Sequence, residues 1–136
     1  MRILFDTNVL LDVLEKREPF FDDSYGALHK ALQMDAECLI SSSAVTDLYY
    51  MLRKYLQSPE QARRQVEKLS QIFLFADVLG ADIHAALNRN MRDFEDAVVD
   101  AVAQRSGAEC IVTRNIRDFA GASVTVMTPA EFLKKP

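Results

Sequence analysis

The sequence is poor in the side chains that build thiolate or imidazole metal sites, since its 136 residues include two cysteines and two histidines. Cys38 and Cys110 lie in segments that we predict to be buried strands, without the close spacing of metal ligands. We therefore expect two reduced core residues. His29 and His84 lie far apart on predicted helices, and nothing marks them as ligands.

Long apolar runs are also absent. No stretch approaches the roughly 18 apolar residues that cross a membrane. The apolar N-terminal segment is broken by Asp6, Asn8 and Asp12, which is unlike a signal peptide. We therefore expect a cytoplasmic protein. The glycine-rich fingerprint of a dinucleotide site is missing as well, which disfavours that class of ligand.

The chain has no excess of positive charge: 16 Lys and Arg stand against 20 Asp and Glu, a net charge of −4. This balance argues against unaided binding of nucleic acid, because phosphate contacts need cations. A site built from carboxylates would give the same balance, since a bound divalent ion adds two positive charges.

What the sequence does contain is an alternation of short apolar segments with amphipathic ones. Strands are predicted at residues 3–5, 37–40, 75–79, 110–113 and 124–127. Helices are predicted at residues 8–16, 21–35, 44–56, 59–73, 81–90 and 94–106, and a last one begins at 129. Strands separated by helices favour parallel pairing with right-handed crossovers. We therefore predict one domain over residues 1–136, a three-layer α/β/α sandwich around a mostly parallel sheet of four to five strands.

Local signals predict several helix ends and faces. Ser58 is placed to cap the helix 59–73, and the serines at 41–43 supply turn and cap chemistry before the helix 44–56. In the helix 21–35, the spacing of Tyr25, Leu28 and Leu32 predicts the stripe that faces the core.

Acidic and polar residues follow several of the predicted strands. Asp6 ends the first strand, Asp47 lies one turn into the helix after the second, and Asp93 and Asp96 open the helix 94–106. The fourth strand is followed by a further polar group, Thr113, Arg114, Asn115 and Asp118. Ligands of open α/β sheets bind outside the carboxyl ends of the strands, where these side chains would meet. Because carboxylates repel one another, a hard cation such as Mg²⁺ or Mn²⁺ is the natural occupant, suited to phosphodiester hydrolysis.

Each acid also has a structural interpretation. Asp6 can cap the first helix, and Asp47 can face a helix dipole from the first turn. Asp93 can be the N-cap of its helix, with Asp96 at the capping-box position. The polar residues after the fourth strand can be turn residues. Their joint placement, rather than any single residue, favours a site.

Four stretches together resemble the PIN domain family. They are Asp6-Thr7-Asn8-Val9-Leu10, Ser42-Ser43-Ala44-Val45-Thr46-Asp47, Asp93-Phe94-Glu95-Asp96-Ala97 and Thr113-Arg114-Asn115-Ile116-Arg117-Asp118-Phe119. The likeness is greatest to bacterial PIN proteins related to VapC toxins. It implies an α/β/α fold and an endoribonuclease that depends on Mg²⁺ or Mn²⁺.

The resemblance also implies roles by position. Asp6 and Asp96 would be the core metal ligands, with Asp93 and Asp118 as additional acids. Residues that would orient carboxylates or bind water are Thr7, Asn8 and Thr113. Candidate phosphate contacts, which are equally well interpreted as solvated loop charges, are Arg114 and Arg117.

Two positions depart from the family's pattern. Asp47 stands where a Glu is usual and is one methylene shorter, and Asn115 stands where an Asp is frequent and brings no charge. Both are assigned to the catalytic set, to position the nucleophile or a second ion. They also support an alternative, a non-catalytic RNA- or protein-binding module with a degraded site. A phosphatase or receiver domain fits less well, because no second acid stands next to Asp6.

The resemblance further implies a toxin–antitoxin setting, in which a small antitoxin protein covers the acidic groove, and a possible homodimer. The apolar run at residues 49–52 is too wide for one buried helix face, so it either contributes to an interface or fills the core. Four basic residues in mid-sequence either extend an RNA track or form a solvated helix face: Arg53, Lys54, Arg63 and Arg64.

Overall fold

A computed structural model describes residues 1–136. The five strands are β1 (Arg2–Phe5), β2 (Glu37–Ser41), β3 (Leu74–Ala76), β4 (Cys110–Val112) and β5 (Thr125–Met127). The seven α-helices are α1 (Thr7–Leu14), α2 (Phe21–Gln33), α3 (Ser42–Leu56), α4 (Pro59–Ile72), α5 (Gly80–Leu87), α6 (Phe94–Arg105) and α7 (Pro129–Lys134), and a 3₁₀ turn occupies Ile116–Phe119. None of these helices combines the length and apolar character needed for a membrane crossing.

The strands form one parallel sheet in the order β3–β2–β1–β4–β5, with β1 at its centre. The chain steps outward from β1 to β2 and β3, and then crosses to β4 on the other side of β1. The winding therefore reverses between β1 and β4, and in open α/β sheets the crevice at such a reversal binds ligands. Asp6 follows β1 and Thr113 follows β4, so both residues lie at this crevice.

Alternate residues of the strands contribute to two separate cores. Ile3 and Phe5 of β1 pack with helices α1 to α4 and α7, whereas Leu4 faces α5 and α6. All three side chains are 1% exposed, as expected for a parallel sheet covered on both faces. The predicted α/β/α sandwich is thus confirmed, with five strands in the sheet.

Both cysteines are buried and free, as the sequence predicts. Cys38 of β2 and Cys110 of β4 each pair with Ile3 of β1, so two strand spacings separate them. Two spacings amount to about 9.5 Å, which is beyond the reach of a disulfide. Burial raises the pKa of the Cys38 thiol to about 11, so this thiol stays protonated at neutral pH.

The predicted inner face of α2 is wrong. Tyr25 and Leu32 are 49% and 41% exposed, and Leu28 is only partly buried. The residues that face the core are the small ones, Ser24, Ala27 and Ala31. Helix α2 packs against both α1 and α7, and small side chains allow this close approach.

Several element boundaries also differ from the prediction, among them the end of β3 and the start of α3. Strand β3 stops at Ala76 instead of residue 79, because the chain turns into α5, where the backbone N–H of Leu79 donates to Oδ2 of Asp82 at 2.8 Å. Helix α3 begins at Ser42, since Ser41 completes β2. The Oγ atoms of Ser41 and Ser43 lie 2.7 Å apart, and the Ser41 side chain makes no capping hydrogen bond to the helix.

Candidate active site

Asp6 is held rigidly at the end of the central strand. Its Oδ1 accepts a hydrogen bond from the backbone N–H of Thr7 at 2.9 Å, which makes it the N-cap of α1. Its Oδ2 accepts from Oγ1 of Thr113 at 2.7 Å and from Nδ2 of Asn8 at 3.2 Å. The capping interpretation of Asp6 is therefore correct, and the same carboxylate is also oriented from the end of β4.

The start of α6 carries the second pair of acids. Oδ1 of Asp93 accepts from the backbone N–H of Asp96 at 3.0 Å, so Asp93 is the N-cap of this helix. The pKa of Asp96 is raised to about 7, first by burial and then by the negative charges of Asp6, Asp93, Asp118 and Glu95. The Asp96 carboxyl therefore loses its proton less readily than an ordinary aspartate does.

Burial also raises the pKa of Asp6, and the hydrogen bonds from Thr113 and Thr7 counteract part of this effect. The charge of Asp93 raises it further, whereas that of Arg114 lowers it. The carboxylates from the end of β1 and the start of α6 therefore lie close enough to repel each other.

A hollow of about 280 Å³ lies between these elements, and we call it the acidic hollow. It is lined by Asp6, Thr7, Ser43, Ala44, Asp47, Val78, Ile83, Phe94, Glu95, Asp96, Val98 and Val99. Three of the acids singled out in the sequence thus share one hollow, although they come from β1, α3 and α6. Asp47 is exposed at this wall.

Asn115 and Asp118, which follow β4, line a second hollow of about 410 Å³, the outer hollow, together with Arg92, Arg114, Ile116, Arg117 and Thr128. Asn115 is exposed there, and its backbone N–H donates to Oγ1 of Thr113 at 3.0 Å. Asn115 does not line the acidic hollow. Asp118 lies in the outer hollow but close enough for its charge to raise the pKa of Asp96.

Arg114 has a structural role that the sequence did not predict. Its Nε donates to Oδ2 of Asp12 at 2.7 Å and its Nη2 to Oδ1 at 3.1 Å. The guanidinium also lies over the ring of Phe20, 3.8 Å from the centroid. Two of its three nitrogen atoms are therefore engaged by Asp12, and a contact between Arg114 and phosphate stays a prediction.

Sequence reasoning missed four side chains that line the candidate site or connect to it through hydrogen bonds. Asp12 on α1 is completely buried. Its burial could have been predicted from its spacing, because it lies three residues after the core residue Val9 and so on the same face of the helix. Glu95 and Ser43 line the acidic hollow, and both lie within stretches singled out for other residues. Phe94, 48% exposed, forms part of the apolar wall.

The donor set has the chemistry of a site for a hard cation. The side-chain donors nearest the crevice are carboxylate and hydroxyl oxygens, which suit Mg²⁺ and Mn²⁺. A cation between Asp6 and Asp96 would offset the repulsion that raises the pKa of Asp96. No three His, Cys, Asp or Glu side chains converge on one point that could hold an ion. The residues therefore fit an ion that keeps several water ligands, as Mg²⁺ usually does.

Comparison with known proteins identifies the family. A model of the PIN domain family matches residues 2–117. Ribonuclease VapC1 from Aquifex aeolicus (strain VF5) is a relative with 24% identity over an alignment of 139 residues. The alignment covers 98% of this chain and 94% of the relative.

Solved structures share the fold. VapBC2 from Rickettsia felis, bound to a DNA fragment from its promoter, has a TM-score of 0.75 and 18% identity, covering 94% of this chain and 98% of that one. A toxin–antitoxin complex from Klebsiella pneumoniae has a TM-score of 0.69 and 25% identity, covering 95% and 98%. The family match runs from β1 into the 3₁₀ turn and includes all acids of the acidic hollow, and the chain therefore belongs to the PIN domain family.

Proposed function

We propose that this chain is an endoribonuclease that depends on a divalent metal ion, Mg²⁺ or Mn²⁺. The observation that carries the proposal is the gathering of Asp6, Asp47 and Asp96 around one hollow at the reversal point of the sheet. The raised pKa of Asp96 supports it, because a site whose acids repel one another is suited to a cation. The relative named Ribonuclease VapC1 supports the choice of RNA as substrate.

The metal ligands in this proposal are Asp6 and Asp96, with Asp93 and Asp118 close by as additional negative charges. A bound divalent ion would acidify a water molecule and offset charge on the phosphate oxygens. Asp6 contributes a carboxylate of fixed orientation, since Thr7, Asn8 and Thr113 all donate to it.

Asp47 and Asn115 have separate tasks in this proposal. Asp47 is exposed on the wall of the acidic hollow, where its carboxylate can accept a proton from the attacking water. Asn115 and Arg117 line the outer hollow, where an amide and a guanidinium can contact the phosphate backbone of the RNA.

We further propose an antitoxin protein as the partner, in the cytoplasm. The similar solved structure from Klebsiella pneumoniae is a toxin–antitoxin complex. The acidic hollow is bordered by Ile83 and Phe94, which are 37% and 48% exposed and give a protein partner apolar contacts beside the acids. On α3, Tyr50 and Met51 are 59% and 38% exposed whereas Leu52 is buried, which supports a homodimer contact there.

A non-catalytic binding module is the second candidate. The shorter side chain of Asp47, the neutral side chain of Asn115 and the lack of three converging ligands favour it. Under this alternative the chain binds RNA or protein without cleaving it and without a requirement for metal.

Cleavage of a labelled single-stranded RNA tests the proposal. We expect cleavage in Mn²⁺ or Mg²⁺, no cleavage in excess EDTA, and loss of at least about a hundredfold in the rate for Asp6→Asn and Asp96→Asn. Asp35→Asn is the matched control, because Asp35 is exposed, away from both hollows, and has a φ of 56° that asparagine tolerates well. RNA binding without cleavage under all these conditions would favour the second candidate.

A further inference from the structure

We propose that the ion pair between the buried Asp12 and the partly buried Arg114 positions the loop after β4 and, through it, the carboxylate of Asp6. The inference rests on the proposed function, because it concerns the same site. Neither residue lines the acidic hollow, so their effect on it is indirect.

The ion pair ties three separate segments together. Asp12 on α1 is 0% exposed and receives both hydrogen bonds of the Arg114 fork, at 2.7 and 3.1 Å. Ser24 on α2 donates a third hydrogen bond to Asp12, at 2.8 Å. Phe20, at the start of α2, packs under the guanidinium plane. Asp12 and Phe20 therefore fix the position of the Arg114 guanidinium, and the side chain is 25% exposed.

A buried ion pair of this kind is poor evidence for stability. Desolvation of the two charges offsets much of their attraction, and apolar replacements of equal size are often as stable. Such a pair does fix geometry, because the planar guanidinium accepts few arrangements around a carboxylate. The geometry it fixes here is that of residues 113–115, which lie between β4 and the 3₁₀ turn and belong to no helix or strand.

The connection from this loop to Asp6 runs through Asn8. The backbone N–H of Arg114 donates to Oδ1 of Asn8 at 3.2 Å, which orients the side-chain amide. The Nδ2 of Asn8 then points toward Oδ2 of Asp6, at 3.2 Å, and toward Oγ1 of Thr113, at 3.3 Å. A shift of the Arg114 backbone would therefore disturb both side chains that donate to Asp6.

This arrangement distinguishes the two oxygens of Asp6. Oδ2 accepts two hydrogen bonds, from Asn8 and Thr113, and both of its acceptor positions are thereby filled. Oδ1 accepts one, from the backbone of Thr7, and keeps one acceptor position. We infer that Oδ1 is the atom that Asp6 presents to a cation, and that the Asp12–Arg114 pair selects it.

Arg114→Lys tests the proposal, since lysine keeps the charge but loses the planar fork. We expect the apparent dissociation constant for Mn²⁺, from isothermal titration, to rise on the order of tenfold, as for other residues that orient metal ligands. For RNA cleavage we expect kcat to fall by a similar factor with KM little changed. Ser24→Ala should also raise the dissociation constant for Mn²⁺ and lower kcat, but by smaller factors, because the ion pair itself remains.

Arg89→Lys is the matched control. Arg89 also pairs with a fully buried acid, Asp100, at 3.0 Å, and neither residue lines the acidic hollow. This variant should lower the melting temperature about as much as Arg114→Lys does, while Mn²⁺ affinity and kcat stay unchanged.

An NMR measurement needs neither metal nor RNA. The side-chain amide signals of Asn8 should shift in Arg114→Lys and stay in place in Arg89→Lys. Unmoved Asn8 signals in Arg114→Lys would overturn the proposal whether or not the protein cleaves RNA. A rise in KM with unchanged Mn²⁺ affinity would overturn it too, since Arg114 would then bind substrate. If the wild-type protein binds Mn²⁺ but cleaves no RNA, the proposed function is refuted. The positioning role of Arg114 is then still tested by the change in Mn²⁺ affinity in Arg114→Lys.

Discussion

Replacing Asp96 with asparagine should stabilise the protein, although the proposed chemistry needs the carboxylate of Asp96. Its pKa rises from the usual 3.8 to about 7, and every contribution acting on it, from burial to the neighbouring acids, raises it. The native carboxyl thus keeps its proton up to about pH 7, whereas the unfolded one loses it near pH 3.8. The contribution of Asp96 to the free energy of unfolding is therefore fully present below pH 3.8, and it is lost as the pH rises through about 7.

The size of the effect follows from the two pKa values. Each unit of pKa corresponds to about 1.4 kcal/mol, so the rise from 3.8 to about 7 sets an upper limit between about 4 and 5 kcal/mol. Asp96 is only partly buried, and water and salt screen its neighbours. We therefore expect Asp96→Asn to raise the free energy of unfolding at pH 8 by on the order of 1–2 kcal/mol. At pH 4 the gain should almost vanish, because the native carboxyl is then neutral in the wild type as well.

Urea unfolding in EDTA at pH 4 and pH 8 measures this difference, with Asp35→Asn as the exposed control. Adding Mn²⁺ at pH 8 should stabilise the wild type and do little for Asp96→Asn, because an ion that binds only the native state contributes its binding energy to folding. A variant that is less stable than the wild type at pH 8 without metal, or that gains equally at both pH values, would refute the reasoning.

Three further substitutions test the core, a turn and the site. Leu52→Ala, at a fully buried position of α3, should lower the free energy of unfolding by about 2–5 kcal/mol in urea titrations, and a negligible loss would contradict the packing described. Gly121→Ala should cost at least about 1 kcal/mol in thermal unfolding, because its φ is +90° and a Cβ would lie 2.5 Å from the carbonyl oxygen of Asn90; an unchanged melting temperature would count against this. Asp47→Glu should raise Mn²⁺-dependent RNA cleavage several-fold, since the added methylene extends the carboxylate into the acidic hollow, and slower cleavage would exclude Asp47 from the proposed role.

The fold and the position of the acids could be predicted because their signals are local. Residues 3–5 form an apolar run that ends at an acid. An acid at the carboxyl end of a parallel strand lies at the ligand-binding edge of the sheet, so its position can be predicted without knowing its distant contacts. Asp93 and Asp96 lie three residues apart at a helix start, so their proximity follows from helix geometry alone. The roles of these acids in catalysis and metal binding stay predictions, as does the division of the chain into one domain.

The features that were missed depend on contacts distant in sequence. Periodicity marks Tyr25 and Leu32 as an apolar stripe, but the close approach of α7 to α2 selects Ala27 and Ala31 for the interior. The pair of Asp12 with Arg114 joins positions 102 residues apart, and no local pattern links them.

The two helix N-termini at this edge lower the electrostatic cost of placing several acids close together. Asp6 caps α1 and Asp93 caps α6, so each accepts a backbone N–H at the positive end of a helix, which favours its negative charge. Asp47 is exposed, and its charge remains solvated. Asp96 has neither advantage: it lies in the first turn of α6, partly buried, and its own N–H is the one that Asp93 uses. The neighbouring negative charges raise the pKa values of both Asp6 and Asp96, and a cation bound between these two residues would offset that repulsion.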